Sequence, residues 1–188
     1  MIYGVMGGTF DPPHAGHLQM IQIVQKSGLV DKILVIPCFY HVFGKQPEKF
    51  IHRIKMCELM TENFVDVQVM DIEKSMQNPG RTLELLELLA DRFKDDKLRL
   101  VAGADIYLER DKWYRFESIE KLAPPIYLGR KGVNVDFNDK VSLFLESPDD
   151  VSSSNLRERL REGDGNVAGS ILPAVLNYIY KHKLYGVR

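Results

Sequence analysis

A glycine-rich turn between a predicted strand and a predicted helix is the feature that most constrains this chain. Residues 2–6 are apolar and β-prone, which predicts a buried strand, and Gly7-Gly8 follow at once. Glycines let the backbone turn sharply and leave main-chain N–H groups uncovered. Helical periodicity begins at Ala15, just after Pro12-Pro13. This order places free N–H donors and the positive end of a helix dipole at one point, which predicts an anion site.

Two histidines, His14 and His17, stand at this predicted helix start. The turn carries neither the GxGxxG of dinucleotide sites nor the GxxxxGK[ST] of P-loops. An imidazole can donate hydrogen bonds to phosphate oxygens, and it does so more strongly as negative charge develops there. A single histidine near a turn is more often a polar cap. Two of them, spaced HxGH after a GGTFDP turn, favour a role in handling phosphates.

A second candidate anion site lies near the other end of the chain. Ser152-Ser153-Ser154 opens a predicted helix, and Arg157 follows about one turn later on a neighbouring face. Serines at a helix start are ordinary N-caps, so this segment alone supports the two interpretations equally. Arginine, however, can hold a phosphate through two parallel hydrogen bonds. Two segments that could each bind phosphate, at opposite ends of one chain, suggest that the ligand is a polyphosphate in contact with both.

Length, charge and cysteine usage limit the class of protein. The 188 residues suffice for one domain, 1–188, and the net charge of -1 argues against a bulk binder of nucleic acid or membranes. No apolar run approaches the ~18 residues of a membrane span. Cys38 and Cys57 are isolated and lack zinc spacing. The N-terminus shows no signal-peptide pattern, so we expect a cytoplasmic protein with reduced thiols. The sequence leaves the oligomeric state open, and a homo-oligomer is possible.

Alternating strands and helices predict an α/β fold, a doubly wound, Rossmann-like parallel sheet with helices on both faces. The pattern predicts strands at 2–6, 32–37, 65–72, 98–102, 126–128 and 141–145, and helices at 16–26, 47–63, 82–93, 113–122, 149–163 and 171–183. The irregular segment 38–49 is rich in aromatic and cationic side chains. It follows the second strand, at the edge where open α/β sheets bind their ligands.

Gly103-Ala104-Asp105 follows the fourth predicted strand, and Trp113 comes eight residues after Asp105. A flat ring could stack on the Trp113 indole while Asp105 fixes a helix start or a polar group of the ligand. The alternative is that Trp113 anchors the core and Asp105 is a helix cap. The residues themselves leave both interpretations open.

These segments resemble motifs of a known superfamily. Residues 7–17 are similar to the signature of nucleotidyltransferases that carry (T/H)xGH, and residues 151–157 to their ISSTxxR motif. Residues 103–119 resemble the GxD…W(Y)xxxxxI block of the nicotinate mononucleotide adenylyltransferases. Residues 52–59 and 82–86 are similar to two helices of that family. The resemblance covers essentially the whole chain, with its three main motifs in family order.

The chain also departs from the family pattern. Val151 and Ser154 stand at the first and fourth positions of ISSTxxR, and residues 40–45 replace the PPHK of bacterial members. Gly80-Arg81-Thr82 replaces the family's SYT, so that an arginine stands where a tyrosine would line the mononucleotide site. These changes concern substrate choice more than ATP handling, and they leave nicotinate versus nicotinamide open.

The resemblance implies adenylyl transfer from ATP to nicotinate or nicotinamide mononucleotide in NAD biosynthesis, with release of pyrophosphate. It implies Mg²⁺ carried on the ATP oxygens and no metal ligands on the protein. The implied catalytic residues are His14, His17, Lys45 and Arg157. The implied ATP site comprises Gly7, Gly8, Thr9, Phe10, His14, His17, Gly103, Asp105, Ser153, Ser154 and Arg157. The implied mononucleotide site comprises Thr9, Lys45, Thr82, Asp105, Trp113 and Arg130.

Two other functions remain open from the sequence. One is a sister transferase with another phosphorylated acceptor, such as phosphopantetheine, or with a cytidylyl donor. The other is a non-catalytic nucleotide-binding regulator. An RNA-directed role lacks support because the chain has no basic face and no second KMSKS-type motif.

Overall fold

A computed structural model describes residues 1–40, 44, 46–129, 142–144 and 151–187. These residues form a six-stranded sheet, parallel throughout, with the strand order β3-β2-β1-β4-β5-β6. The strands are β1 (Ile2–Gly8), β2 (Lys32–Pro37), β3 (Val67–Val69), β4 (Lys97–Gly103), β5 (Ile126–Gly129) and β6 (Ser142–Phe144). This is the doubly wound order of Rossmann-like sheets, and it confirms the predicted fold class.

Helices cover both faces of the sheet. They are α1 (Ala15–Ser27), α2 (Phe50–Thr61), α3 (Thr82–Arg92), α4 (Ala104–Leu108), α5 (Phe116–Leu122), α6 (Ser153–Glu162) and α7 (Pro173–Lys181). Alternate side chains of β1 point to opposite faces, so that Met6 packs with α1, α2, α6 and α7, whereas Val5 packs with α3 and α5. The two faces therefore carry separate hydrophobic cores, and the sheet is buried on both sides, as parallel sheets require.

Several element boundaries differ from the predicted ones. The third strand was predicted at 65–72 but spans only Val67–Val69, because Ile72–Ser75 forms a 3₁₀ turn that carries Glu73 inward. The helix predicted at 113–122 begins at Phe116, since Arg115 has a left-handed φ of 51°. The helix predicted at 149–163 begins at Ser153, after the N-cap Ser152. The short helix α4 was missed, and the part of the predicted strand 141–145 that the structure describes is β6.

The strand order changes direction between β1 and β4, which lie side by side at the centre of the sheet. The helix that follows β1 packs on one face, and the helices that follow β4 pack on the other. The region beyond the carboxyl ends of these two strands is where doubly wound sheets bind ligands. In the part of the chain that the structure describes, no helix combines the length and apolar character needed to cross a bilayer.

Candidate active site

The turn after β1 brings the two histidines together at the start of α1. His14 is the N-cap residue of this helix, is buried, and has an extended backbone. The two imidazole centroids lie 3.9 Å apart, and the His14 backbone N–H donates to His17 Nδ1 over 3.2 Å. Because Nδ1 accepts, the proton of the neutral His17 ring is on Nε2, which makes Nε2 a hydrogen-bond donor. The structure thus places a ring donor beside the helix N-terminus that the sequence predicted.

Two glycines make room for these rings. A Cβ atom at Gly16 would lie 3.1 Å from the His14 imidazole, and one at Gly8 would lie 3.1 Å from the ring of Phe10. Phe10 itself is buried beneath the turn with a left-handed φ of 50°, and its ring lies 4.8 Å from that of His17. A Cβ atom at either position would therefore press on a neighbouring aromatic ring, the His14 imidazole or the Phe10 phenyl ring, and Phe10 in turn packs against His17.

The serine-rich start of α6 lies directly against the same turn. Ser153 Oγ donates to the carbonyl oxygen of Pro12 over 3.0 Å, and Arg157 Nη1 donates to that of Asp11 over 2.7 Å. Arg157 Nη2 also donates to Ser154 Oγ over 3.3 Å. The two predicted anion segments, 141 residues apart in sequence between Pro12 and Ser153, are therefore joined beside the paired histidines.

Asp11 is the buried centre of this junction. Its Oδ1 accepts from the Tyr185 hydroxyl at 2.9 Å and from the Glu48 backbone N–H at 3.1 Å, while Oδ2 lies 3.5 Å from Arg157 Nη1. Burial, followed by the charge of Asp11, raises the pKa of Tyr185 well above its usual range, so this phenol remains a donor. Asp11 thus connects the first turn of the chain with α6, the approach to α2 and the C-terminal turn.

A second buried charge, Arg53, holds both ends of the segment 38–49. Its Nη1 donates to the carbonyl oxygens of Thr9 and Cys38, and its Nε donates to that of Glu48, each over 2.8 Å. Arg53 is 1% exposed. Of this segment, the predicted catalytic residue Lys45 lies outside the described residues. The ends from which it extends are fixed beside the turn after β1.

Glu73 also ties two segments together, in this case the segment after β2 and the loop before α3. One carboxylate oxygen, Oε2, accepts from the backbone N–H of Phe39 at 2.8 Å and from that of Gly80 at 2.9 Å. Burial raises the pKa of Glu73, an effect that these two hydrogen bonds and the charge of Arg53 oppose. The loop that leads into Thr82 is thereby tied to the segment after β2.

The remaining predicted residues lie around the same edge of the sheet. Gly103 ends β4, Asp105 lies in α4 with its side chain outside the described part, and Thr82 is the first residue of α3. Trp113 is partly exposed and packs edge-on against Phe116, with ring centroids 6.1 Å apart. It therefore contacts the core and still presents surface to solvent. Arg130 lies outside the described residues.

Arg81, the residue that replaces the family's tyrosine, connects two of these segments. Its guanidinium lies 5.2 Å from the ring centroid of Tyr114 and pairs with Glu84 over 3.2 Å. The cation–π contact joins the start of α3 to the segment that carries Trp113.

Four residues of this arrangement were not among the sequence predictions: Asp11, Arg53, Glu73 and Tyr185. Burial of Arg53 could have been predicted, because it falls among the apolar positions of a predicted helix. A cation buried in this way needs hydrogen-bond acceptors around it. Asp11 lay within the signature but was not assigned a role. Tyr185 belongs to a chain ending that is similar to that of the family, but neither Tyr185 nor Glu73 was assigned a role, because their hydrogen-bond partners are distant in sequence.

Sequence comparisons identify relatives over most of the chain. The Cytidylyltransferase-like family matches residues 5–159. The nicotinate-nucleotide adenylyltransferase of Bacillus subtilis is 32% identical over 84% of this chain and 85% of its own length. A protein of Myxococcus xanthus, named "Probable nicotinate-nucleotide adenylyltransferase", is 33% identical over 98% of this chain and 94% of its own.

Solved structures share the fold. The nicotinic acid mononucleotide adenylyltransferase of Plasmodium falciparum, complexed with APC, superimposes with a TM-score of 0.85 at 21% identity. Its complex with NaAD gives a TM-score of 0.83, and each match covers all of this chain and 98% of the other. By its sequence relatives and its fold, this chain belongs to the nicotinate-nucleotide adenylyltransferases, within the cytidylyltransferase-like family.

Proposed function

We propose that this protein transfers the adenylyl group of ATP to nicotinate mononucleotide, or to nicotinamide mononucleotide, in NAD biosynthesis. The observation that carries this proposal is the junction between the start of α6 and the turn after β1. Ser153 and Arg157 bond to the backbone of that turn, so two anion-binding segments lie beside His14 and His17. A triphosphate is long and charged enough to use both segments. The sequence relatives named above carry the same activity in their names.

The reaction is a displacement at the α-phosphorus of ATP. An oxygen of the mononucleotide 5′-phosphate forms a bond to that phosphorus, the bond to the bridging oxygen of the β-phosphate breaks, and pyrophosphate leaves with the electron pair. Two polyanions must approach each other, so catalysis rests on charge stabilisation and alignment and needs no protein nucleophile. We assign His14 and His17 to the ATP phosphates, with the Nε2 donor of His17 nearest the phosphorus under attack. The same donors strengthen as charge develops in the transition state.

The leaving pyrophosphate is assigned to the α6 side of the site. Ser153, Ser154 and Arg157 would hold it, and the first-turn N–H groups of α6 add the positive end of a helix dipole. Lys45 would connect ATP with the acceptor phosphate. Gly7, Gly8, Thr9 and Phe10 supply the turn itself, with Thr9 held by Arg53. The positive charge of Arg157, the helix dipole of α6 and, as we propose, the charge of Lys45 would offset the repulsion between the substrates.

The acceptor site is assigned to another part of the same edge of the sheet, where Thr82 follows β3 and where Asp105 and Trp113 follow β4. The partly exposed Trp113 face would pack on the pyridine ring, and Arg130 would contribute a further cation. Because Glu73 ties the loop before Thr82 to the segment after β2, the two halves of this site are held in one arrangement.

Mg²⁺ is proposed to accompany ATP and to lower the charge of its phosphates. The residues fit an ion held by nucleotide oxygens and water, which Mg²⁺ prefers. The Asp11 carboxylate is engaged by Tyr185, Glu48 and Arg157. Among the described residues, no three His, Cys, Asp or Glu side chains are grouped so as to bind a metal. We further propose a cytoplasmic location, with which the free thiols of Cys38 and Cys57 agree.

Pyrophosphate release with ATP, Mg²⁺ and each mononucleotide in turn tests this proposal. We expect turnover with at least one of them, and the ratio of kcat/KM values gives the ring preference. His17→Ala should lower kcat by about 10²–10³, because one preorganised donor to a transition-state phosphate is worth ~2.7–4 kcal/mol. His52→Ala is the matched control, since His52 bonds to Tyr178 between α2 and α7. Turnover with phosphopantetheine but with neither mononucleotide would refute the proposed acceptor. A fully active His17→Ala variant would refute the proposed role of His17 in the mechanism.

A further inference from the structure

The buried carboxylate of Asp11 is a potential competitor for the cation that the pyrophosphate needs. Asp11 Oδ2 lies 3.5 Å from Arg157 Nη1, a single long ion-pair contact, while Nη1 itself bonds to the Asp11 backbone oxygen at 2.7 Å. A carboxylate with both oxygens facing a guanidinium forms a two-bond ion pair, which is among the strongest contacts in proteins. The observed geometry does not form that pair.

The reason lies on the opposite oxygen of the same carboxylate. Oδ1 accepts two hydrogen bonds, one from the Tyr185 hydroxyl at 2.9 Å and one from the Glu48 backbone N–H at 3.1 Å. Both donors occupy Oδ1, so that Oδ2 is the carboxylate oxygen in contact with Arg157, and together they hold the rotation of the carboxyl group. Because burial keeps the phenol of Tyr185 protonated, this donor persists at any working pH.

The chain reaches this position through an unfavourable backbone. Tyr185, in the last turn (Leu184–Gly186), has a left-handed φ of 57°, and Lys183, the residue before that turn, has one of 51°. Bulky residues rarely adopt this conformation, and they keep it only where surrounding contacts enforce it. Leu184 and Val187, on either side, are buried in the core and supply that enforcement.

We propose that Tyr185 is a positioning residue for the phosphate site. Its hydroxyl holds the Asp11 carboxylate in a rotation that denies Arg157 a two-bond ion pair, so that the guanidinium remains available to the ATP phosphates. This inference rests on the proposed function, because it takes Arg157 as a phosphate ligand. The C-terminal turn thereby controls the affinity for ATP without touching the nucleotide.

Tyr185→Phe removes the hydroxyl and keeps the ring. We expect the Kd for Mg-ATP, measured by calorimetry, to rise about three- to tenfold, in line with the net worth of one hydrogen bond. The KM for ATP should rise in parallel, whereas the KM for the mononucleotide stays within twofold. Tyr178→Phe is the matched control. The hydroxyl of Tyr178, a residue of α7, also makes one 2.9 Å hydrogen bond, to His52 of α2. That variant should bind ATP as the unaltered protein does.

Removing the competing charge should reverse the defect. In the double variant Tyr185→Phe with Asp11→Asn, no carboxylate remains to capture Arg157, and we expect the Kd for ATP to return to within twofold of the original. A structural role alone would make the double variant as weak as Tyr185→Phe or weaker. That result, or an unchanged Kd in Tyr185→Phe, would overturn the proposal.

Two further measurements keep the outcomes separate. If Tyr185→Phe is unfolded at the assay temperature by circular dichroism, the Kd values of the single and double variants are measured at a lower temperature at which both are folded. The same comparison then decides: a double variant as weak as Tyr185→Phe, or an unchanged Kd in Tyr185→Phe, overturns the inference. Failure of the unaltered protein to bind ATP or release pyrophosphate refutes the proposed function instead.

Discussion

Replacing Arg53 by methionine should cost this protein a large part of its stability. The guanidinium is 1% exposed and donates three 2.8 Å hydrogen bonds to carbonyl oxygens of Thr9, Cys38 and Glu48. Methionine fills much of the volume but leaves those carbonyls without their donor. Charge-assisted hydrogen bonds are worth about 1.5–3 kcal/mol each, and their contributions do not add fully.

We therefore expect Arg53→Met to lower the free energy of unfolding by about 3–5 kcal/mol, as when one member of a buried charged network is removed. Natural domains are stable by roughly 5–15 kcal/mol, so the variant should remain folded in the cold. The free energy of unfolding of Arg53→Lys should lie between those of the unaltered protein and of Arg53→Met. A compact ammonium group cannot reach three separate acceptors as the planar guanidinium does. Where the variants are folded, turnover should drop as well, since Arg53 holds the turn after β1.

Urea unfolding followed by circular dichroism at constant pH measures this loss. Lys55→Met on the same helix is the control. Its ammonium is exposed and forms a surface ion pair with Glu58 one turn away, so the urea midpoint of this variant should not change measurably. A loss below ~1 kcal/mol for Arg53→Met, with an unchanged denaturant slope, would refute the claim that Arg53 fastens these three segments.

Three other outcomes follow from the geometry. Gly16→Ala should lower kcat roughly tenfold or more, because its Cβ would displace the His14 ring, which lies 3.1 Å away; initial rates of pyrophosphate release measure it. Gly28→Ala, at a left-handed φ of 66°, should instead cost about 1 kcal/mol of stability in urea melts and leave kcat unchanged. Because burial raises the pKa of Glu73, the folded state holds this proton more tightly than the unfolded chain. Stability should therefore fall as pH rises from the ordinary glutamate pKa to the raised one, and Glu73→Gln should remove that slope from urea midpoints measured between about pH 4 and 7; parallel curves for the two proteins would contradict this.

The regular part of the fold could be predicted from sequence because its signals are local. The apolar run of β1, its two glycines and the periodicity of α1 all fall within one stretch, and Gly28 ends that helix in the predicted left-handed conformation. Right-handed crossovers then leave few sheet topologies. The short helix α4 escaped because five residues are too few to show a helical period.

The candidate site divides in the same way. His14, His17 and Ser153 could be proposed because each stands at a helix start, where residue type and position already indicate an anion, and Arg157 because it follows Ser153 by about one turn. The contact between Asp11 and Tyr185 joins residues 174 positions apart, and nothing local to either one indicates the other. The buried acceptors of Arg53 likewise come from three separate loops, so the residue could be flagged but its partners could not be named.

The meeting of the first turn and the last one at Asp11 has a consequence for biosynthesis. A ribosome adds about 5–20 residues per second, so the tyrosine that completes this network is made roughly 10–35 s after the aspartate. During that interval the turn after β1 exists without its final anchor. The helices α6 and α7, which cover one face of the central strands, are made at the end of the same interval. Closure of that hydrophobic core and completion of the nucleotide site therefore depend on the same last segment of the chain.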